Sequence, residues 1–366
     1  MSFSAGVSSA CADDLRNTLY VLFQLFYSCF ASVDASCIGG QTNNLTSHFD
    51  PAAARVEANT PPTRSGVKDR YSRMNNSVSA ADYPIGVFAS IDAGFGVRLD
   101  VAHDLGTPTL HLHAPQQTTR SAETAAQFKK KAEELGMRVT VVFAGFDGES
   151  YADIPTVQQT VGLAPAATRA ARLAELKEII DFTVALGVDA TGLHIGFVPH
   201  DSADPEYTAI VDAVREACDY AAERGVNIHL ETGQEPAGVL VGFLETVGRQ
   251  NLFVNFDPAN MILYGCGEPI FALKEVGRYV RSVHCKDAKW SENPGETWGA
   301  ETPLGEGDVD FAEFLKTLSD IGYRGPLTIE REIPQEPERQ RSEIAHAITF
   351  IGGLLEGQHS AGEAPQ

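Results

Sequence analysis

Positive charge is in short supply. The 366 residues include 28 lysines and arginines against 49 aspartates and glutamates, a formal net charge of −21. A field of that sign repels polyanions, which argues against nucleic acid and anionic membrane as partners and leaves room only for a local basic pocket. Cysteine is sparse and scattered. None of Cys11, Cys29, Cys37, Cys218, Cys266 and Cys285 forms a CxxC pair, and the reading is of reduced thiols in a cytoplasmic protein. No apolar run reaches the ~20 residues that a membrane-spanning helix needs. The most apolar one, Leu19 to Val33, has the length of a signal-peptide core, with Val33 to Ala35 as a small-residue cleavage site. Export is therefore the alternative localisation, but Asp13, Asp14 and Arg16 stand where a positive n-region belongs. A phosphate-binding GxGxxG is also absent after the first strand, where the sequence is SIDAGFG (Ser90 to Gly96).

What is present begins late. Asp34 to Ala81 is rich in Ser, Asn, Thr and Pro without periodicity. Residues 1–82 are expected to be a disordered or dispensable N-terminal extension, 83–356 a folded domain, and 357–366 a disordered tail. After Tyr83 a phrase recurs: apolar strand, polar turn, amphipathic helix, glycine. The glycines are Gly106, Gly136, Gly187, Gly225, Gly248, Gly277 and Gly322, each placed to close a helix in the left-handed conformation. Strands are predicted at 84–90, 108–113, 138–144, 190–196, 226–231, 252–257, 280–286 and 326–330. Helical stripes link them, for example Leu173, Leu176, Ile180 and Val184, or Ile210, Val214, Cys218 and Ala221. A last helix is predicted from Glu338 to Leu355. Eight alternating units imply parallel strands and an α/β fold, the closed (β/α)8 TIM barrel.

All strands of such a barrel open onto one rim. NLFVNFDPAN (Asn251 to Asn260) sets Phe253, Asn255 and Asp257 on one face and Val254 and Phe256 on the other. Its inner face thus ends on an acid. NIHLE, VRSVHCKD and PLTIE end similarly, so Glu231, Asp257, His284 and Glu330 finish the fifth to eighth strands. Any one of them alone could be a surface residue. Four on consecutive strands ~4.8 Å apart converge, and three clustered carboxylates repel unless a cation joins them. Three oxygens and one imidazole suit one divalent metal ion, Mn²⁺ first, with Mg²⁺, Co²⁺ or Zn²⁺ as alternatives.

LETGQE, FDPAN, SVHCKDA, PLGEGDVDF and LTIERE resemble blocks of the xylose isomerase-like TIM barrels, the sugar phosphate isomerase/epimerase superfamily of ketose 3-epimerases, hydroxypyruvate isomerases and inosose dehydratases. The resemblance covers about Tyr83 to Leu355. It implies that Glu231, Asp257, His284 and Glu330 hold a catalytic metal and that Glu231 and Glu330 also transfer protons through an enediolate. The implied activity is isomerisation or epimerisation of a sugar, sugar phosphate or related hydroxy-ketone, with a dehydratase-like lyase as the alternative. The chain departs from the ketose 3-epimerases at Asn260, where they usually have His, and at Trp290, where they usually have Arg. Asn260 can still bind a hydroxyl and Trp290 can stack on a sugar. The related abasic-site endonucleases use a three-metal cluster with further histidines; Asn260 and the lack of Asp-x-His after His284 leave an endonuclease-like phosphodiesterase as a remote alternative.

Further inward candidates are His113 and His194 as substrate contacts, His111 as a deeper barrel-lining histidine, and Lys286, on the side of His284, as a group that polarises a carbonyl or binds an anion. Gln234, Glu235 and Asp287 are expected as partners of the ligands. Gly305 and Gly307 predict a tight turn before an Asp308 helix cap. Residues 145–165 and 288–308 predict lids over the rim. The resemblance implies a small carbohydrate as partner, and a homo-oligomer is compatible with it.

Overall fold

The structure is a computed structural model that describes residues 82–92 and 96–362. Expectations placed on residues 1–81 fall outside the described residues. Eight parallel strands close into a barrel: β1 (Ile85–Ser90), β2 (Thr109–His113), β3 (Arg138–Ala144), β4 (Ala190–Leu193), β5 (Asn227–Glu231), β6 (Leu252–Phe256), β7 (Val280–Cys285) and β10 (Leu327–Ile329). Each pairs with its neighbours in sequence order, and β1 meets β10 at the seam, Ile85 opposite Leu327. The strands fall where the apolar runs predict. The largest difference is at β4, which ends at Leu193 rather than residue 196.

Two cores follow from the alternation of side chains. Outward residues such as Val254, Phe256 and Cys285 pack with the helices in one large cluster. Inside the barrel a small cluster of Phe88, Val141, Phe143 and Ala190 fills the lumen. Gly192 makes room for it, since a Cβ there would lie 2.6 Å from the Phe143 ring. Cys218 is fully buried, as its stripe implies. Val184 is not: it is exposed, and Thr183 takes the inner position, donating to the Ile179 carbonyl at 2.9 Å.

The helices are α1 (Leu99–Asp104), α2 (Ala122–Glu134), α3 (Ile154–Thr160), α4 (Ala166–Leu186), α5 (Pro205–Ala222), α6 (Ala237–Val247), α7 (Pro258–Tyr264), α8 (Pro269–Val276), α9 (Phe311–Asp320) and α10 (Pro337–Gly362). Six of the seven predicted closing glycines have positive φ; Gly277 does not, with φ −50°. Its role is close packing, because a Cβ there would stand 2.8 Å from Ile321 Cγ2. Both expected lids contain regular structure. The first carries α3, and the second carries an antiparallel pair outside the barrel, β8 (Asp287–Lys289) with β9 (Ala300–Thr302). The cap of α9 is Asp310, which accepts the Glu313 amide at 3.0 Å, whereas Asp308 accepts the Trp290 amide. The last helix runs past Leu355 to Gly362. Among the described residues no helix is long and apolar enough to cross a membrane.

Candidate metal centre

Glu231 ends β5, Asp257 follows β6, His284 lies in β7 and Glu330 follows β10, four neighbouring staves of the barrel. One donor atom from each lies within 4.8 Å of the others, a possible metal site. His284 Nδ1 is 2.7 Å from Glu231 Oε1, 2.9 Å from Glu330 Oε2 and 3.9 Å from Asp257 Oδ2. Asp257 and His284 are fully buried and Glu231 nearly so.

Local structure aims each group. Asp257 is also the N-cap of α7: its Oδ1 accepts the Ala259 and Asn260 amides at 2.8 and 3.0 Å, turning Oδ2 toward the site. Thr232 ties the ends of β5 and β6, donating to the Asp257 carbonyl and accepting the Asp257 amide at 2.8 Å. Asp257 Oδ2 is buried without a hydrogen-bond partner, 3.9 Å from the nearest imidazole nitrogen of the quartet. Such an atom is costly unless an ion completes it, so the donor set fits a divalent cation.

The electrostatics support the fit. Burial raises Asp257 to about 8. Burial acts against the His284 imidazolium, but Glu231 and Glu330 outweigh it and raise the group to about 10. Burial opposes ionisation of Glu231 as well, yet His194 and His284 hold it well below the carboxylate range. At Glu330, Lys286 and His284 overcome burial and lower the group to about 2. The site thus holds its own protons in place of positive charge.

Around the quartet, His194 Nε2 stands 3.0 Å from Glu231 Oε2, and Gln234 bridges His194 Nδ1 and the Tyr264 hydroxyl at 3.0 Å each. Asn260 Nδ2 reaches Glu231 Oε1 at 3.4 Å. Lys286 is buried, its Nζ 3.7 Å from both Glu330 and Glu332. Glu330, Glu301 and Glu332 outweigh its burial and keep it an ammonium.

Other candidates have contacts outside the quartet. His113 Nδ1 faces the Ala114 carbonyl at 2.8 Å. Glu235 accepts the Val198 amide at 2.8 Å. Asp287 lies one step out of phase with Lys286, so its carboxylate faces away from the lumen. It accepts the amides of Ala288, Gly305 and Gly307 at 2.9 Å and of Val309 at 3.2 Å. Trp290 is exposed at the end of the hairpin. The indole that packs on Tyr264 is that of Trp298, 4.6 Å away.

Sequence reasoning gave no role to Asn255, Tyr151 or Trp298. Asn255 Nδ2 lies 3.1 Å from His284 Nδ1, and alternation already put it on the inner face. The ring of Tyr151 is 5.7 Å from His194, delivered by a non-periodic segment whose path left no local signal. His111, read only as a lining residue, has Nδ1 3.0 Å from His284 Nε2.

The xylose isomerase-like TIM barrel profile matches residues 99–351. The crystal structure of a xylose isomerase domain protein from Planctomyces limnophilus is 54% identical, with a TM-score of 0.74 over 76% of this chain and 99% of that one. The L-ribulose 3-epimerase of Methylomonas sp. (strain DH-1) is 32% identical over 149 residues, 37% of this chain and 46% of that protein. An inosose dehydratase of Clostridium botulinum (strain Alaska E43 / Type E3) is 26% identical over 149 residues, 37% of this chain and 49% of that protein. The chain therefore spans about half the length of these curated relatives. From the closed barrel, the four converging side chains and a profile match over most of the described residues, the chain belongs to the xylose isomerase-like TIM barrel family.

Proposed function

We propose that this protein is a divalent-metal-dependent isomerase or epimerase of a sugar, a sugar phosphate or a related hydroxy-ketone. The observation that carries the reading is the approach of Glu231 and Glu330 to one imidazole nitrogen, at 2.7 and 2.9 Å, from strands separated by β6 and β7. A divalent cation held by Glu231, Asp257, His284 and Glu330, Mn²⁺ before Mg²⁺, Co²⁺ or Zn²⁺, would stabilise the charge that develops on a substrate carbonyl oxygen when the adjacent carbon loses its proton.

The chain's own residues do the rest. One of Glu231 and Glu330 takes the proton, and the other returns one on the opposite face, inverting the carbon. Return to the neighbouring carbon would interconvert ketose and aldose. His194 and Asn260 hold the Glu231 carboxylate by its two oxygens, which fixes the direction of its free lone pairs. Lys286, beside Glu330, supplies a fixed positive charge for an oxyanion or an acidic substituent. His113, His194, Asn260, Lys286 and Trp290 are the proposed substrate contacts.

The test is turnover in D₂O with Mn²⁺ on a panel of ketoses, ketose phosphates and inososes. Deuterium at the inverted or neighbouring carbon is expected; product without it would sink proton transfer. A lyase is the second reading, favoured by the likeness to inosose dehydratase and by His194, 20% exposed beside Glu231, where it could protonate a departing β-hydroxyl. A product lighter by one water would select it.

A further inference from the structure

We infer that His111 is a positioning residue: reaching across the lumen from β2, it fixes the imidazole of His284 so that Nδ1 faces the ligand carboxylates. This rests on the metal-site reading above. The two rings lie 173 residues apart in sequence, with His111 Nδ1 3.0 Å from His284 Nε2 and both side chains buried. On the barrel circumference β1 and β10 separate their strands, so the contact spans the interior rather than joining neighbours.

Among the described residues, His111 Nδ1 is the hydrogen-bonding neighbour of His284 Nε2. His284 is flanked by the Phe88 ring, 5.6 Å away and edge-on, and by the Phe143 ring, 4.9 Å away. Aromatic carbon offers no lone pair comparable to that of a nitrogen. A neutral imidazole offers a lone pair only from the nitrogen that carries no proton. For Nδ1 to face a cation, the hydrogen of His284 must sit on Nε2, and there it needs an acceptor or costs about 1–3 kcal/mol as a buried orphan. His111 Nδ1 is that acceptor. The Phe143 ring, 5.4 Å from His111, in turn keeps His111 upright, and the absent side chain of Gly192 leaves Phe143 its space. Together they form a scaffold below the ligands that turns one rotatable ring into a fixed donor.

The experiment compares Mn²⁺ affinity, measured by competition with a chelating dye, in the full-length wild type, His111→Leu and His111→Asn. Leucine fills volume without an acceptor. The asparagine carbonyl oxygen can stand where Nδ1 stands. The expected result is 10- to 100-fold weaker binding in the leucine variant and recovery to within about threefold of wild type in the asparagine variant. A leucine variant that melts like wild type in chelator yet binds Mn²⁺ equally well overturns the role of His111 alone. A wild type that binds no Mn²⁺ overturns the metal reading with it. Should the leucine variant fail to fold, ¹⁵N spectra of histidine-labelled wild type with Mg²⁺ decide the matter. A proton on His284 Nε2 supports the proposal, and one on Nδ1 overturns it.

Discussion

Glu235 buries a carboxyl whose Oε1 accepts the Val198 amide at 2.8 Å, and burial raises the group to about 8. In the unfolded chain the same carboxyl loses its proton near the ordinary value of about 4.3. Between those values the folded state holds the proton and the unfolded state does not, so stability falls as pH rises. Glu235→Gln keeps the acceptor oxygen and removes the titration. The variant is expected to be more stable than wild type at pH 8, by roughly 1–4 kcal/mol, and to differ much less at pH 5. Urea unfolding at the two pH values checks this, and parallel pH slopes would refute it. His229 acts in the opposite sense. Its pKa is lowered to about 3 by burial, so it contributes stability that is lost as the solution is acidified below about 6.5.

Among the elements, the hairpin of β8 and β9 is held by an acid that faces away from the lumen. Asp287 gathers the Gly305, Gly307 and Val309 amides, and a Cβ at Gly307 would lie 2.1 Å from the carboxylate, so both partners are needed at that approach. Asp287→Ala is expected to cost about 2–3 kcal/mol and to speed proteolysis within residues 290–309 and hydrogen exchange at those three amides. An unchanged exchange pattern would assign the loop's order to other contacts. The barrel strands and the quartet were legible because an apolar run ending on an inward acid is a local pattern. The short helices α3, α7 and α8 were missed for want of periodicity. They nonetheless carry a signal in Asp153-Ile-Pro155, Asp257-Pro258 and Glu268-Pro269, where an acid caps and proline opens the helix. The pairing of His111 with His284 and the packing of Trp298 on Tyr264 depend on contacts across the fold, which no local spacing encodes.

For the molecule as a whole, a cation bound only by the folded form raises stability by about 2.7 kcal/mol at 100 times its Kd. Chelation is therefore expected to lower Tm by roughly 5–10 °C. The metal-free site keeps protons on His284, raised to about 10, and on Asp257, raised to about 8. On the proposed function, Mn²⁺ bound there would displace them, so the Tm gain is expected to shrink as pH falls from 9 to 6. Calorimetry with Mn²⁺ or chelator across that range checks both statements, and a pH-independent gain would contradict the second.

The seam between Ile85 and Leu327 also bears on biosynthesis. At ribosomal rates of about 5–20 residues per second, the first stave waits some tens of seconds or less for its last neighbour. Until then a nascent chain exposes two hydrogen-bonding edges, β1 and β7, of the kind that recruits strands from other chains. Arrest of translation before Leu327 would leave an open, adhesive sheet, so ring closure is the step at which a chaperone's protection matters most.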